Sequence, residues 1–363
     1  MDEIKRCMNE AATFLDRDAG VCDEMGRVLA TTRPILEQNE MKAALKAPAS
    51  DQVWTGDGRS FCQLDPDVPN SGIVFVSGTD RAAQDVLGLL ARWIRSTKLE
   101  RNTRLERQSF LKNVLLENEL PGDIPLKARE YKVSYALQRR ALLIRFNEAC
   151  DPEALKTVQN LIGEGEDEIF TVDEHNMVVL LVCSEEGERG DKISEELLST
   201  FTENGRKIHI GVGLLAENLK DTAKSYREAS LALTVGSIFY EDTKVMWYNR
   251  LGLGRLIYQL PPTLCRMFLS EVFAAETYEM LDPETLLTIE KFFENNLNGA
   301  ETSRQLFVHR NTLVYRLDKV QKITGLDLRS FDDAVLFKLA SMVRRYLESL
   351  NQTGETKSPE KRW

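Results

Sequence analysis

From Thr263 to Leu350 the chain is almost wholly helical in pattern, whereas before Tyr248 it alternates short β-branched runs with amphipathic helices. A stretch with one period throughout has no strand to add to a neighbouring sheet, so this part must fold as an all-α domain around its own core. The chain has 363 residues, more than the roughly 250–300 at which single hydrophobic cores stop growing. It is therefore expected to be a multidomain α+β protein. The boundaries predicted are an N-terminal α/β sensor-like domain over 1–97, a linker or signalling helix over 98–130, an α+β domain over 131–250, the all-α domain over 263–350 and a disordered tail over 351–363.

Composition narrows the classes. Hydrophobic residues make up 42% of the chain, but no apolar run approaches the roughly 20 residues needed to span a bilayer, so no membrane association is expected. The opening "MDEIKRCMNEAATFLDRD" lacks the apolar region and small-residue site of a secretory signal, and a cytoplasmic location is expected. Cys7, Cys22, Cys62, Cys150, Cys183 and Cys265 form no C-x-x-C pair, which predicts reduced, mostly buried thiols. The net charge of −10 argues against nucleic-acid binding by the bulk surface. Any such contact must be local.

Along the chain, "DAGVCDEMGRVLATT" predicts a hairpin turning at Asp23 to Gly26, and Ile73 to Val76 a further strand. A helix is predicted from Ala82 to about Glu119, where Pro121-Gly122 stops it. Its Arg92, Arg95, Lys98, Arg101, Arg104 and Arg107 recur every third position. At 100° per residue that spacing turns each successive side chain by about −60°, so the six wind around the helix as a solvated surface and form no stripe. Next come a strand at Leu142 to Phe146, a helix over Pro152 to Ile162, a hairpin through "DEHN", a strand in "KIHIGVGLL" and a helix ending at Gly236.

Within the all-α part, "GAETSRQLFVHRNTLVYRLDKVQKITG" predicts a short helix over Glu301 to Leu306, a break at Phe307 and Val308, and a longer helix closed by Gly325. Two helices across a tight turn form a helix-turn-helix. On a helical wheel Leu313, Leu317, Val320 and Thr324 share one side, while Asn311, Tyr315, Lys319 and Lys322 cluster opposite. Arg310, Asn311 and Thr312 lie in the first turn, where free backbone amides favour phosphate and where a recognition helix enters the major groove. Residues 298–330 carry six basic side chains against three acidic ones, a local excess inside an acidic protein.

The segment "NNLNGAETSRQLFVHRNTLVYRLDKVQKITGLDLRSFDDAVLFKLA" resembles the C-terminal helix-turn-helix of the CdaR/PucR family, bacterial regulators of sugar-diacid and purine catabolism. Its "HRNTL.YRL" core is followed by "TG.DL" and a closing "D...L..A" helix, and it is more distantly similar to the DNA-binding hairpin of Fis-type proteins. The resemblance and the wheel together make Thr302, Arg304, His309, Arg310, Asn311, Thr312, Tyr315, Arg316, Lys319 and Lys322 the candidate DNA-facing residues. Ser303 departs from the family, which usually has Ala at this close-packed point. Residues 131–248 are similar to the GGDEF-like domain of the same family, through "IHIGVG" and "YREASLAL". The turn that carries paired glycines in true diguanylate cyclases here reads "VDEHNM", with no glycine, so the domain is expected to serve assembly or signalling without catalysis.

Other constellations are weak. His175, His209 and His309 lie too far apart in sequence and on different elements for a shared metal site. "WTGDGRS" lacks the helix that follows a dinucleotide-binding turn and is expected to be a surface loop. The first segment resembles a PAS or GAF sensor in pattern only, with Cys22, Trp54, Arg59 and Cys62 as candidate effector contacts. The expected function is sequence-specific binding of double-stranded operator DNA by a homodimer or higher homo-oligomer, controlled by an unidentified small-molecule effector, with no catalytic residues, metal or cofactor. The competing readings are a nucleotide-binding or nucleotide-cyclising signalling protein built on the central domain, and a protein-interaction scaffold.

Overall fold

Asp23 closes the first hairpin by accepting the amides of Met25 (2.9 Å) and Arg27 (2.8 Å), while Gly26 supplies the positive φ of 77° that the turn requires. The computed structural model describes residues 2–33, 41–46, 52–68, 71–163, 165–183, 188–240, 242–273 and 277–352. The chain divides into two compact units, Met1–Leu111 and Lys112–Trp363. The multidomain α+β class expected from the sequence is what forms. Among the described residues no helix is long and apolar enough to cross a membrane.

The first unit is built on an antiparallel sheet of β1 (Ala19–Cys22), β2 (Val28–Thr31), β3 (Trp54–Gly56), β4 (Arg59–Gln63) and β5 (Ile73–Ser77), in the order β2-β1-β5-β4-β3. Strand alternation divides its side chains between two cores. Val21, Cys62, Val74 and Val76 pack on α1 (Asp2–Ala11) and on Leu87, Leu90 and Ile94 of α2 (Arg81–Leu115). Cys22, Phe61, Ile73 and Phe75 face the other way, against Met41, Ala44 and Trp54. "WTGDGRS" is not a surface loop but the β3–β4 hairpin. Asp57 and Gly58 both take positive φ, 51° and 72°, the geometry of the Asp-Gly turns that match strand twist.

α2 stops four residues short of the expected Glu119. Asn118 N–H donates to Asn113 O (2.9 Å) and Glu117 N–H to Val114 O (3.2 Å), with Glu117 in the left-handed region at φ 57°. This paired-bond cap ends the helix without glycine, and the Glu117 carboxylate is held by Arg227.

The second unit begins with α3 (Ile124–Glu130) and a five-stranded sheet. Its strands are β6 (Arg139–Phe146), β7 (Glu168–Thr171), β8 (Asn176–Val182), β9 (Ile208–Ala216) and β10 (Val245–Trp247), in the order β10-β9-β6-β8-β7. β6 is antiparallel to both β8 and β9, and β10 runs parallel to β9. α4 (Pro152–Ile162) starts at the N-cap Asp151, which accepts the Ala154 amide (2.7 Å). The Arg206 guanidinium beside Asp151, together with that amide, holds the carboxyl down to about 2.

α5 (Glu188–Glu203) was absent from the expected order, although Ile193, Leu197 and Phe201 recur at helical spacing and are buried together with α4. α6 (Thr222–Phe239) crosses β9 closely because Gly211 and Gly213 have no side chains. A Cβ on either would collide with the backbone of Ala229 or Ser225. Gly236 does not end α6 as expected. It lies inside the helix, where a Cβ would stand 2.5 Å from the Met246 side chain, so it is a packing glycine.

Beyond α7 (Gly252–Tyr258) the chain is helical through α8 (Pro262–Val272), α9 (Pro283–Glu294), α10 (Gly299–Gln305), α11 (Arg310–Thr324) and α12 (Phe331–Gln352). α12 buries Ala334, Phe337, Ala340, Val343 and Tyr346. Their spacing of three turns the buried line around the helix. Phe337 and Ala340 therefore join the core of α9 and α11, and Val343 and Tyr346 join that of α6, α7 and α8. Of the segment expected to be disordered, Asn351 and Gln352 complete α12, and residues 353–363 lie outside the described residues. Gly211→Ala should lower stability in urea denaturation by about 2 kcal/mol or more, because the α6 backbone cannot retreat from the added methyl without disturbing the core.

Candidate nucleic-acid interface

α10 and α11 meet across the break expected at Phe307 and Val308. α10 is capped by Asn298, whose side chain accepts the amides of Ala300 (3.1 Å) and Glu301 (3.2 Å). α11 is capped by His309, whose Nδ1 accepts the Asn311 amide at 3.2 Å. Gly325 ends α11 in the left-handed region at φ 80°. Leu313, Leu317 and Val320 are buried with Ile289 and Phe292 of α9 and Phe337 of α12, which matches the apolar side of the wheel.

The ten candidate residues do not all reach one surface. Thr302 is fully buried, its hydroxyl donating to Asn298 O (2.8 Å) within α10, so it cannot face DNA. Arg316, half-buried, donates to the buried Thr288 hydroxyl (2.9 Å) and to Glu284 (2.6 Å), tying α11 to the first turn of α9. Lys319 is ion-paired with Asp282, the N-cap of α9, and Arg304 with Glu301. Arg329, counted in the basic excess, bonds Asp327 (2.7 Å) and Asp318 (2.9 Å). The excess is thus smaller than composition implies, because Asp282 and Glu284 lie outside the window yet pair with residues inside it.

Of the candidates on α11 and its approach, His309, Arg310, Asn311, Thr312, Tyr315 and Lys322 are exposed. Arg310 and Lys322 have no carboxylate within 4.0 Å among the described residues. They are two unpaired cations at opposite ends of the helix. Tyr315 is 70% exposed, between cation and amide donors. The geometry offers bidentate donors at the helix start, a phenol midway and an ammonium in the last turn.

The remaining candidates sort differently. Cys22 is fully buried, its thiol donating to Ile73 O (3.5 Å), and burial followed by the nearby Asp23 charge pushes that thiol up to about 12. Trp54 stacks on Phe61 with ring centroids 5.8 Å apart and donates through Nε1 to Ala43 O (3.1 Å). Cys62 packs on the opposite face of the sheet from Cys22. Cys22, Trp54, Arg59 and Cys62 therefore do not converge on one pocket, since alternation along β4 sends Cys62 away from the others.

In the "DEHN" turn, burial raises the Asp173 carboxyl, but hydrogen bonds from the Asn176 side chain and from the His175 and Asn176 amides outweigh it, and the net shift is downward. Both carboxylate oxygens are thus taken by the turn itself. Among the described residues no group of three or more His, Cys, Asp or Glu could hold a metal.

These features define a helix-turn-helix module fused to a GGDEF-like α+β domain. Residues 285–343 match the PucR C-terminal helix-turn-helix domain, and residues 117–235 match the GGDEF-like domain. The carbohydrate diacid regulator of Escherichia coli (strain K12) is 32% identical over 149 residues, which cover 40% of this chain and 38% of that protein. The purine catabolism regulatory protein of Bacillus subtilis (strain 168) is 22% identical over 309 residues, 78% of this chain and 57% of that one. The proline-responsive transcriptional activator PutR of the same organism is 26% identical over 178 residues, 45% of this chain and 42% of that one. The chain thus spans between about two fifths and three fifths of each of these relatives. Its central and C-terminal regions are thus similar to those of the CdaR/PucR regulators.

The Ser303 hydroxyl is buried with no hydrogen-bond partner among the described residues, so Ser303→Ala should raise stability in urea denaturation by about 1 kcal/mol. Lys319, with the Thr285 amide and hydroxyl, holds the Asp282 carboxyl well below the usual carboxylate range. A folded value below the unfolded one contributes stability above the unfolded pKa and loses it as pH falls, so the urea midpoint should drop from about pH 4 downward. Asp282→Asn should show a smaller drop over that interval.

Proposed function

We propose that the protein is a transcriptional regulator that binds specific double-stranded operator DNA through α11, with Arg310 and Asn311 reading bases and Lys322 bound to phosphate. The observation that carries this reading is the pair of unpaired cations, Arg310 and Lys322, on a helix whose other cations are held by carboxylates. An arginine in the first turn can give two hydrogen bonds to guanine, and an asparagine can do the same for adenine. His309, Thr312 and Tyr315 line the same exposed surface. Arg304, Arg316 and Lys319 support the interface through their ion pairs, and Thr302 through its place in the core.

The domain division proposed is a sensory module over 1–97, a connecting segment over 98–130, a GGDEF-like domain over 131–250 and the helix-turn-helix domain over 263–350. The chain acts in this scheme as a homodimer or higher homo-oligomer in the cytoplasm. A small-molecule effector alters operator affinity by favouring one arrangement of the assembly over another, with the continuous helix α2 as the connector. The three relatives carry names that refer to a carbohydrate diacid, purine catabolism and proline, so the names point to no single effector for this chain. The commitment of Asp173 to its own turn supports a non-catalytic role for the GGDEF-like domain.

Mobility-shift titration against a duplex selected from a randomised pool tests the reading. Arg310→Ala should cost about 1–3 kcal/mol and relax preference at one base, while Lys322→Ala should weaken all sequences alike and reduce the salt slope by about one. Arg310→Ala binding the selected duplex like wild type would remove Arg310 from base recognition.

A further inference from the structure

Phe307 occupies a backbone position that suits glycine and a surface position that gives its ring nothing to pack on. Val308 N–H donates to Ser303 O (3.0 Å) and Phe307 N–H to Arg304 O (3.1 Å), the paired bonds of a helix cap whose outer residue must be left-handed. That residue is Phe307, at φ 54°. A bulky side chain is strained in this region, and strain of this kind collects at functional sites. No internal packing compensates for it, because Phe307 is 95% exposed, more than any other large apolar residue described. Within the folded chain the ring stabilises nothing.

Its place in the chain suggests what it contacts. Phe307 is two residues before the N-cap His309 and three before Arg310, on the turn that delivers the chain into α11. Exposed polar side chains follow it at His309, Arg310, Asn311 and Thr312. A lone ring among such neighbours is far smaller than the roughly 800 Å² that each partner buries in a stable protein interface. It is well suited to the small apolar feature that DNA displays in the major groove, the thymine methyl group, against which phenylalanine packs.

We propose that Phe307 is an apolar specificity residue of the DNA interface, its ring resting on a thymine methyl beside the bases reached by Arg310 and Asn311. This rests on the DNA-binding reading above and adds to it a recognition element that carries no charge.

The probe is the duplex that the full-length wild-type chain selects from a randomised pool. Phe307→Gly should leave the melting temperature unchanged or raise it by about 2 °C, since glycine accepts the left-handed turn. It should bind the selected duplex about tenfold more weakly, with an unchanged slope of log K against log salt, because no phosphate contact is lost. Phe307→Asn, also tolerant of that conformation, should behave likewise. Replacing thymines by deoxyuridine one at a time removes single methyl groups; at one position the wild type should lose affinity and Phe307→Gly should not. Wild-type affinity in both variants, or the same deoxyuridine response in wild type and Phe307→Gly, would overturn the role of Phe307 and leave the Arg310 reading standing. Failure of the wild type to select any duplex would overturn the DNA reading itself.

Discussion

The seam between α11 and α9 decides what the helix-turn-helix can present. Leu313, Leu317 and Val320 bury one side of α11, and on its flank Arg316 reaches the fully buried Thr288 hydroxyl while Lys319 reaches Asp282. The ion pair of Arg316 with the exposed Glu284 contributes little by itself, on the order of 0–1 kcal/mol, but the bond to Thr288 fixes rotation about the helix axis. With rotation fixed, Asn311, Tyr315 and Lys322 have only solvent or a ligand to face.

The same module is not a free appendage of its neighbour. The winding buried line of α12 lies in the α9–α11 core at Phe337 and Ala340 and in a second core at Val343 and Tyr346, where Tyr346 packs with Tyr258 at 5.7 Å between ring centroids. That second core includes Ala232, Val235 and Phe239 of α6. α6 in turn lies directly on Gly211 and Gly213 of β9. A chain of packed elements thus runs from the sheet of the GGDEF-like domain to the helix-turn-helix, so a displacement at one end meets rigid side chains along the way.

How much of this could be read in advance depended on how local each cause was. The α11 wheel, Gly325 as terminator and the break at Phe307 were legible because helical period and capping are short-range. α5 carries the same kind of signal in Ile193, Leu197 and Phe201, but the Asp57-Gly58 hairpin turn shares its letters with a G-x-G motif. The early end of α2 had no local marker, since Glu117 takes a conformation that sequence rules reserve for glycine. Gly236 misled in the opposite sense, because a glycine that makes room for Met246 has the same letter as one that ends a helix.

The sequence by itself determined the division into α+β and all-α parts, the helix-turn-helix and its buried side, all of which follow from period and spacing along one stretch of chain. Only the tertiary structure decided which cations are available. Asp282 and Glu284 precede Arg316 and Lys319 by more than thirty residues and meet them only after α9 packs on α11. The same holds for Thr302, polar in sequence and fully buried in the fold, and for Phe307, apolar in sequence and exposed. Charge pairing and burial are properties of neighbours in space, and for these residues those neighbours are set by packing that no local pattern encodes.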